Sequence, residues 1–386
     1  MCSLERKLVR PVRSVVFLGA LLLSGALYSQ TVAEPEPEEQ VESEQAKVSS
    51  LWKATLDWQG DFRLRYEAID EQGEVDKRRF RFRGRFGIAS QLSENLQFSM
   101  RIATSDGNPV STNITFGDGF STKNIAIDRA FFNWNVVGGL DVAFGKMSNP
   151  WFRAGGNSLL WDSDLNPEGI VANWQSPSGP FFVNAGTYIV AERSSTDNSW
   201  LHAAQGGVNF RLSETSRLRI ASAFFAYTNT IGNQPFYKGR AKGNSVDANG
   251  NFIYGYEILE ISTEYGVIIK GWPTSVFGVW VRNTAVDVED TAFALGVRMG
   301  STNVRGDAQF SYAWHDTGAD ALMGIFSDSD FGGGNTDSKG HIVKAKYALR
   351  QKIVLAATVI ISEVGEFRDN GHDYNRLQLD MEVLFR

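Results

Sequence analysis

Four arginines, Arg79, Arg81, Arg83 and Arg85, occupy alternate residues of one short segment, with Phe80, Phe82 and Gly84 between them and Phe86 after. Arg63 and Arg65 repeat the spacing upstream, and Arg101 follows downstream. Each guanidinium is a permanent cation with a rigid fork of donors. Stacked on one wall such groups repel, so the wall needs water and opposing acids. An acid-rich segment is available. Ser148 to Gly169 reads SNPWFRAGGNSLLWDSDLNPEG, with Asp162, Asp164 and Glu168 as acids and Trp151, Leu159, Leu160 and Trp161 as anchors.

Other chemistries fit less well. GLDVAFGK (139–146) has five residues between its glycines, and Met147 replaces the hydroxyl residue that a phosphate loop needs for magnesium. Asp162, Asp164 and Asn166 have calcium-loop spacing, but Pro167 stands where the turn needs glycine and Asn173 where the loop ends on Glu. The histidines, His202, His315, His341 and His372, show no metal-ligand spacing. No cofactor or metal is expected. The lone cysteine, Cys2, lies ahead of the apolar leader, which leaves the remaining chain without thiol chemistry. Ser311 precedes His315 by four residues, and a barrel hydrolase built on such a pair is the enzymatic rival reading.

The arginines must be positioned by strands. Trp58, Gly60, Phe62, Leu64 and Tyr66 alternate with Gln59, Asp61, Arg63, Arg65 and Glu67, the period of a strand with one apolar face. The pattern recurs at 79–88, 96–102, 132–136, 140–144, 169–175, 181–190, 200–211, 216–227, 253–267, 274–283, 291–300, 303–314, 341–349, 353–362 and 374–385. That gives about sixteen strands, an all-β chain. Tight connections (92–95, 137–139, 176–179, 212–215, 300–302, 350–352) alternate with long polar ones (104–125, 147–168, 228–251, 316–338). This sorting is expected of a transmembrane antiparallel β-barrel with short periplasmic turns and long extracellular loops. Arginines on its lipid face would cost ~2 to 4 kcal/mol each near the midplane. They are therefore expected to face the lumen, which in a barrel of about this size is wide enough for an aqueous channel.

The ends set the compartment. Arg6, Lys7, Arg10 and Arg13 precede the apolar run SVVFLGALLLSGALY (14–28), and small residues near Ala33 complete a secretory leader over 1–33. Residues 34–56 form an acidic, proline-punctuated periplasmic segment, and 57–386 the barrel. The full chain carries −6; the leader holds four basic residues and Glu5, so the rest is near −9 and a nucleic-acid partner is not expected. The final strand alternates Leu377, Leu379, Met381, Val383 and Phe385, then ends on Arg386 instead of an aromatic residue.

The segments FRLRYE (62–67), RFRFRGRFG (79–87), IATSDGNPVSTNITFGDGFSTKNIAIDRAFFNW (102–134), FGKMSNPWF (144–152) and LLWDSDLNPEG (159–169) resemble the bacterial putative-porin family. The resemblance implies an outer-membrane diffusion channel for small hydrophilic solutes, trimeric or monomeric, in contact with outer-membrane lipid, lipopolysaccharide and the barrel assembly machinery. In general porins the loop after the fifth strand folds inward and narrows the pore. Carried over here, 148–168 would be a constriction loop whose Asp162, Asp164 and Glu168 face the arginine wall and set a transverse field. A barrel with a plugged lumen is the remaining alternative.

Overall fold

The computed structural model describes residues 56–369 and 371–385. The leader, the acidic segment up to residue 55 and Arg386 lie outside the described residues. The first strands are β1 (Leu56–Glu71), β2 (Lys77–Ser93), β3 (Leu96–Thr104), the two-residue β4 (Ile114–Thr115), β5 (Ile125–Val137) and β6 (Leu140–Lys146). There follow β7 (Glu168–Gln175), β8 (Phe181–Ala191), β9 (Ser199–Arg211), β10 (Ser216–Tyr227), β11 (Tyr256–Ile269) and β12 (Trp272–Asn283). The last are β13 (Thr291–Gly300), β14 (Ala308–Thr317), β15 (Ser338–Arg350), β16 (Ile353–Val364) and β17 (His372–Phe385).

Each strand pairs antiparallel with its neighbours, and β1 pairs with both β2 and β17, which closes the sheet on itself. Closure leaves no free edge, the condition for strands to cross lipid. β4 only extends the partner row of β2 at Arg81 and Phe82, so sixteen strands form the barrel wall. Connections alternate as the sequence predicts. One end carries turns such as 138–139, where Gly138 and Gly139 both take positive φ and a Cβ on Gly139 would lie 2.2 Å from the Gln175 carbonyl oxygen. Such a two-residue, left-handed turn matches the twist of paired strands. The other end carries 105–124, 147–167, 228–255 and 318–337.

The outer face is apolar and partly aromatic. Across β3, β5 and β6, Phe132 stacks on Phe144 and lies tilted against Phe98, with centroids 5.1 and 5.2 Å apart, while Phe62 meets Phe82 and Tyr66 meets Phe80 across β1 and β2. Inside, the wall is not uniformly polar. Tyr256 and Ile258 of β11, Ala292 and Ala294 of β13 and Phe225 of β10 are fully buried under Trp151, Trp161, Leu322 and Met323 of the long loops. A second apolar core thus sits inside the barrel, where loops press on one side of the wall. The alternation at 253–267 and 291–300 is blurred for this reason: the inward face there is apolar too.

Candidate functional site

All seven arginines singled out from the sequence lie on β1, β2 and β3. The register puts Arg63 opposite Arg83 and Arg65 opposite Arg81. Like charges directly across a ladder destabilise it, and the neighbouring strands supply the acids that offset this. Asp61 takes Arg83 at 2.7 Å and Arg85 at 2.7 Å. Glu67, wholly buried, takes Arg79 and Arg376 at 2.5 Å each, with Arg81 at 3.7 Å. Asp380 grips Arg65 through two bonds of 2.7 and 2.8 Å, Glu382 takes Arg83 at 2.6 Å, and Asp128 takes Arg101 at 2.5 Å. Arg63 is different: its one side-chain bond among the described residues runs to the neutral amide oxygen of Asn113, at 2.7 Å.

The loop 147–167 crosses the lumen. Asp164 accepts from Arg85 at 3.3 Å, lies 3.8 Å from Arg83, and takes Thr112 through its backbone N–H and hydroxyl. On the far side, Gly155 N–H donates to Glu264 of β11 at 2.8 Å. β2 and β11 are the second and tenth of the sixteen wall strands, so they face each other across a diameter. Gly155 is required for that approach. Its φ is +65°, and a Cβ there would lie 2.2 Å from the Phe277 ring. Trp161 packs edge-on against Phe225 at 5.1 Å and stacks on Phe326.

A second loop, 318–337, meets the first. Asp162 N–H donates to the Phe326 carbonyl at 2.8 Å, Asp328 N–H to the Ser158 carbonyl at 3.0 Å, and Ser329 N–H to the Asp162 carboxylate at 2.9 Å. Asp330 of this loop reaches Arg376 at 2.7 Å and Arg65 at 3.2 Å. The four loop acids divide by environment. Burial raises Asp164 and Asp330, but Arg83, Arg85 and Arg63 around the first, and Arg376 and Arg65 around the second, outweigh it and hold both below the ordinary carboxylate range. Burial and the neighbouring acids Asp328 and Asp164 push Asp162 well up; burial and Asp330 push Asp328 up to about 6. Between wall and loops remains a cavity of about 160 Å³, and towards the short-turn end the lumen holds recesses of about 490 and 800 Å³.

The model of the family described as "Putative porin" matches residues 70–251 and 245–385. The chain belongs to the putative porin family. Its fold is that of outer-membrane porins: OprB of Pseudomonas putida in its high-pH structure is 12% identical, with a TM-score of 0.59 over 90% of this chain and 97% of that one. The low-pH OprB structure gives a TM-score of 0.53 at 10% identity, over the same shares of the two chains. A mutant porin from Rh. blastica, 12% identical over 86% of this chain and all of that one, has a TM-score of 0.49. No curated protein sequence matches the chain. The protein is an outer-membrane porin, with the diffusion of solutes as the function its family carries.

Of the three loop acids singled out in this porin's sequence, only Asp164 touches the arginine wall. Asp162 instead ties the two loops together. Glu168 stands apart, as it opens β7 and binds Lys146 at 2.7 Å. Ser311 and His315 share a strand without a hydrogen bond among the described residues, and the His315 ring packs edge-on against Phe331. Arg129, Arg376, Lys344, Asp328 and Asp330 belong to the porin's inner surface as well. Arg129 was hidden by a bulge: Arg101 pairs with Arg129 but Ile102 with Ile127, so Asp128 is an extra residue that shifts the strand's parity. Arg376 was legible, since it alternates with the outward leucines of β17.

Proposed function

We propose that the porin is a passive, non-enzymatic channel for small hydrophilic solutes or ions. Its eyelet is formed by loop 148–168 together with loop 318–337 against the arginines of β1 to β3 and β17. The observation that carries this reading is the diametric crossing: one loop binds Arg85 at one wall and Glu264 at the opposite wall. Any solute passing the barrel must go beside that loop. Arginines on one side and Asp164 and Asp330 on the other set a field across the path, in a lumen where water screens it only partly. Glu168 is dropped from the eyelet in favour of Asp330. Assembly as a homotrimer among lipopolysaccharide, delivered by the barrel assembly machinery after removal of the leader, belongs to the same proposal; three equal conductance steps per insertion would bear on the trimer.

The test is planar-bilayer recording of the refolded protein and of Arg81→Ala, Arg83→Ala and Asp162→Asn. Loss of a wall arginine is expected to raise single-channel conductance and to lower the preference for anions. Unchanged conductance and selectivity in all three would sink the eyelet. The direct bonds between the two long loops across the lumen favour a second reading, a barrel closed at rest. A wild-type protein that inserts without conducting would establish it.

A further inference from the structure

One cavity between wall and loops gathers donors that nothing in the described chain uses. Arg63 Nε–H is buried without an acceptor, and so is the Thr358 hydroxyl. Lys344 lines the same cavity and makes neither a hydrogen bond nor an ion pair among the described residues. The register explains the convergence: Lys344 of β15 pairs with Thr358 of β16, and Arg63 reaches inward from β1, two strands further round. The nearby carboxylates do not relieve these groups. Asp330 commits its oxygens to Arg65, Arg376 and Gln378, and Asp164 to Arg85 and Thr112.

Around this space Lys344 has no partner, Arg63 bonds only the neutral amide of Asn113, and the Thr358 hydroxyl is unpaired, which leaves donors without acceptors among the described residues. A buried donor left unmade carries its full desolvation cost, and guanidinium and ammonium bonds to an oxyanion are the strong kind. We propose that this cavity is an oxyanion subsite of the eyelet, taking the carboxylate of small aliphatic acids between Arg63, Lys344 and Thr358. Ile342 and Ile360, which also line it, give the carbon body an apolar wall. A monovalent carboxylate suits the site better than a phosphate dianion, because Asp162, Asp164, Asp328 and Asp330 line the cavity beside Arg63, Arg65, Arg83 and Lys344, and four acids among four cations repel a second negative charge. This inference rests on the channel reading, and deepens it by naming a solute class.

The subsite can be measured whether or not the barrel conducts. The refolded full chain in detergent micelles is titrated calorimetrically with sodium butyrate, sodium phosphate and glucose. Saturable butyrate binding is expected, weakened about tenfold in Lys344→Gln and in Thr358→Val, since each removes a bond to a charged group. Thr358→Val is nearly isosteric and keeps the test valid if the lysine variant fails to fold. No saturable butyrate heat, equal affinity in the wild type and Thr358→Val, or phosphate binding more tightly than butyrate would each overturn the subsite. An absence of current in bilayers would instead overturn the channel reading and leave the calorimetric result standing.

Discussion

Glu67 is the residue whose loss should be felt most, because one buried carboxylate offsets three arginines. In Glu67→Gln the shape is kept and one oxygen remains, but an NH2 group then points at a guanidinium. Removing one partner of a buried pair costs about 3 to 5 kcal/mol. The lower end applies here for two reasons. Arg376 keeps Asp330 at 2.7 Å, and Arg79 has a side chain 34% exposed that water can solvate. We therefore expect a loss of about 3 kcal/mol, roughly a 150-fold change in the folding equilibrium. It is read from urea unfolding of the barrel in micelles, followed by tryptophan fluorescence. The lumen also gains one positive charge, so the reversal potential in a salt gradient should move towards anions. Combining the change with Arg376→Gln should return part of the stability, with a coupling above about 0.5 kcal/mol. A single-variant loss below about 0.5 kcal/mol, with unchanged selectivity, would refute the idea that buried acids hold the wall together.

Acidity should tighten the loops. The carboxyl of Asp328 sits at about 6 when the loops are docked, above its ordinary value, so docking is favoured while the group is protonated and weakens as pH rises through 4 to 6. About two pH units correspond to up to about 3 kcal/mol. Asp164 and Asp330, held low, lose their contribution only below that window. Conductance should thus rise between pH 4 and 7, and Asp328→Asn should flatten the curve; a rise on acidification would contradict this. Gly155→Ala should push the loop off Phe277 and raise conductance, since alanine fits neither the φ of +65° nor the space; an unaltered channel would show that the far-wall contact does not set the pore. Trp161→Ala should cost about 3 to 5 kcal/mol of loop packing against Phe225 and Phe326, visible as faster proteolysis of 147–167, and unchanged cleavage would count against it.

The barrel was legible because lipid imposes a rule on every second residue, and RFRFRGRFG obeys it on both faces. The inner surface was legible only where water keeps it polar. Beneath the loops the inward residues turn apolar, as Tyr256, Ile258, Ala292 and Ala294 show, and periodicity fades. The bulge at Asp128 reversed the parity of β5 and concealed Arg129. Asp380 and Asp330 lie hundreds of residues from Arg65, which both bind. Only barrel closure and loop return bring them together, and neither leaves a local signature. SDSD at 327–330 repeats the DSD of 162–164, a hint at the second loop that composition alone could have raised.

The loop tied to β2 at one end and to β11 at the other has a mechanical meaning. A ring held only by bonds along its circumference deforms easily into an ellipse, because such a change stretches few of those bonds. A strut across the diameter resists it. Lateral pressure from the surrounding bilayer, which would flatten an unbraced hoop, must here compress or extend residues 155–164 before it can change the aperture. The width of the opening is then a property of one short segment of chain, and the lipid has little say in it.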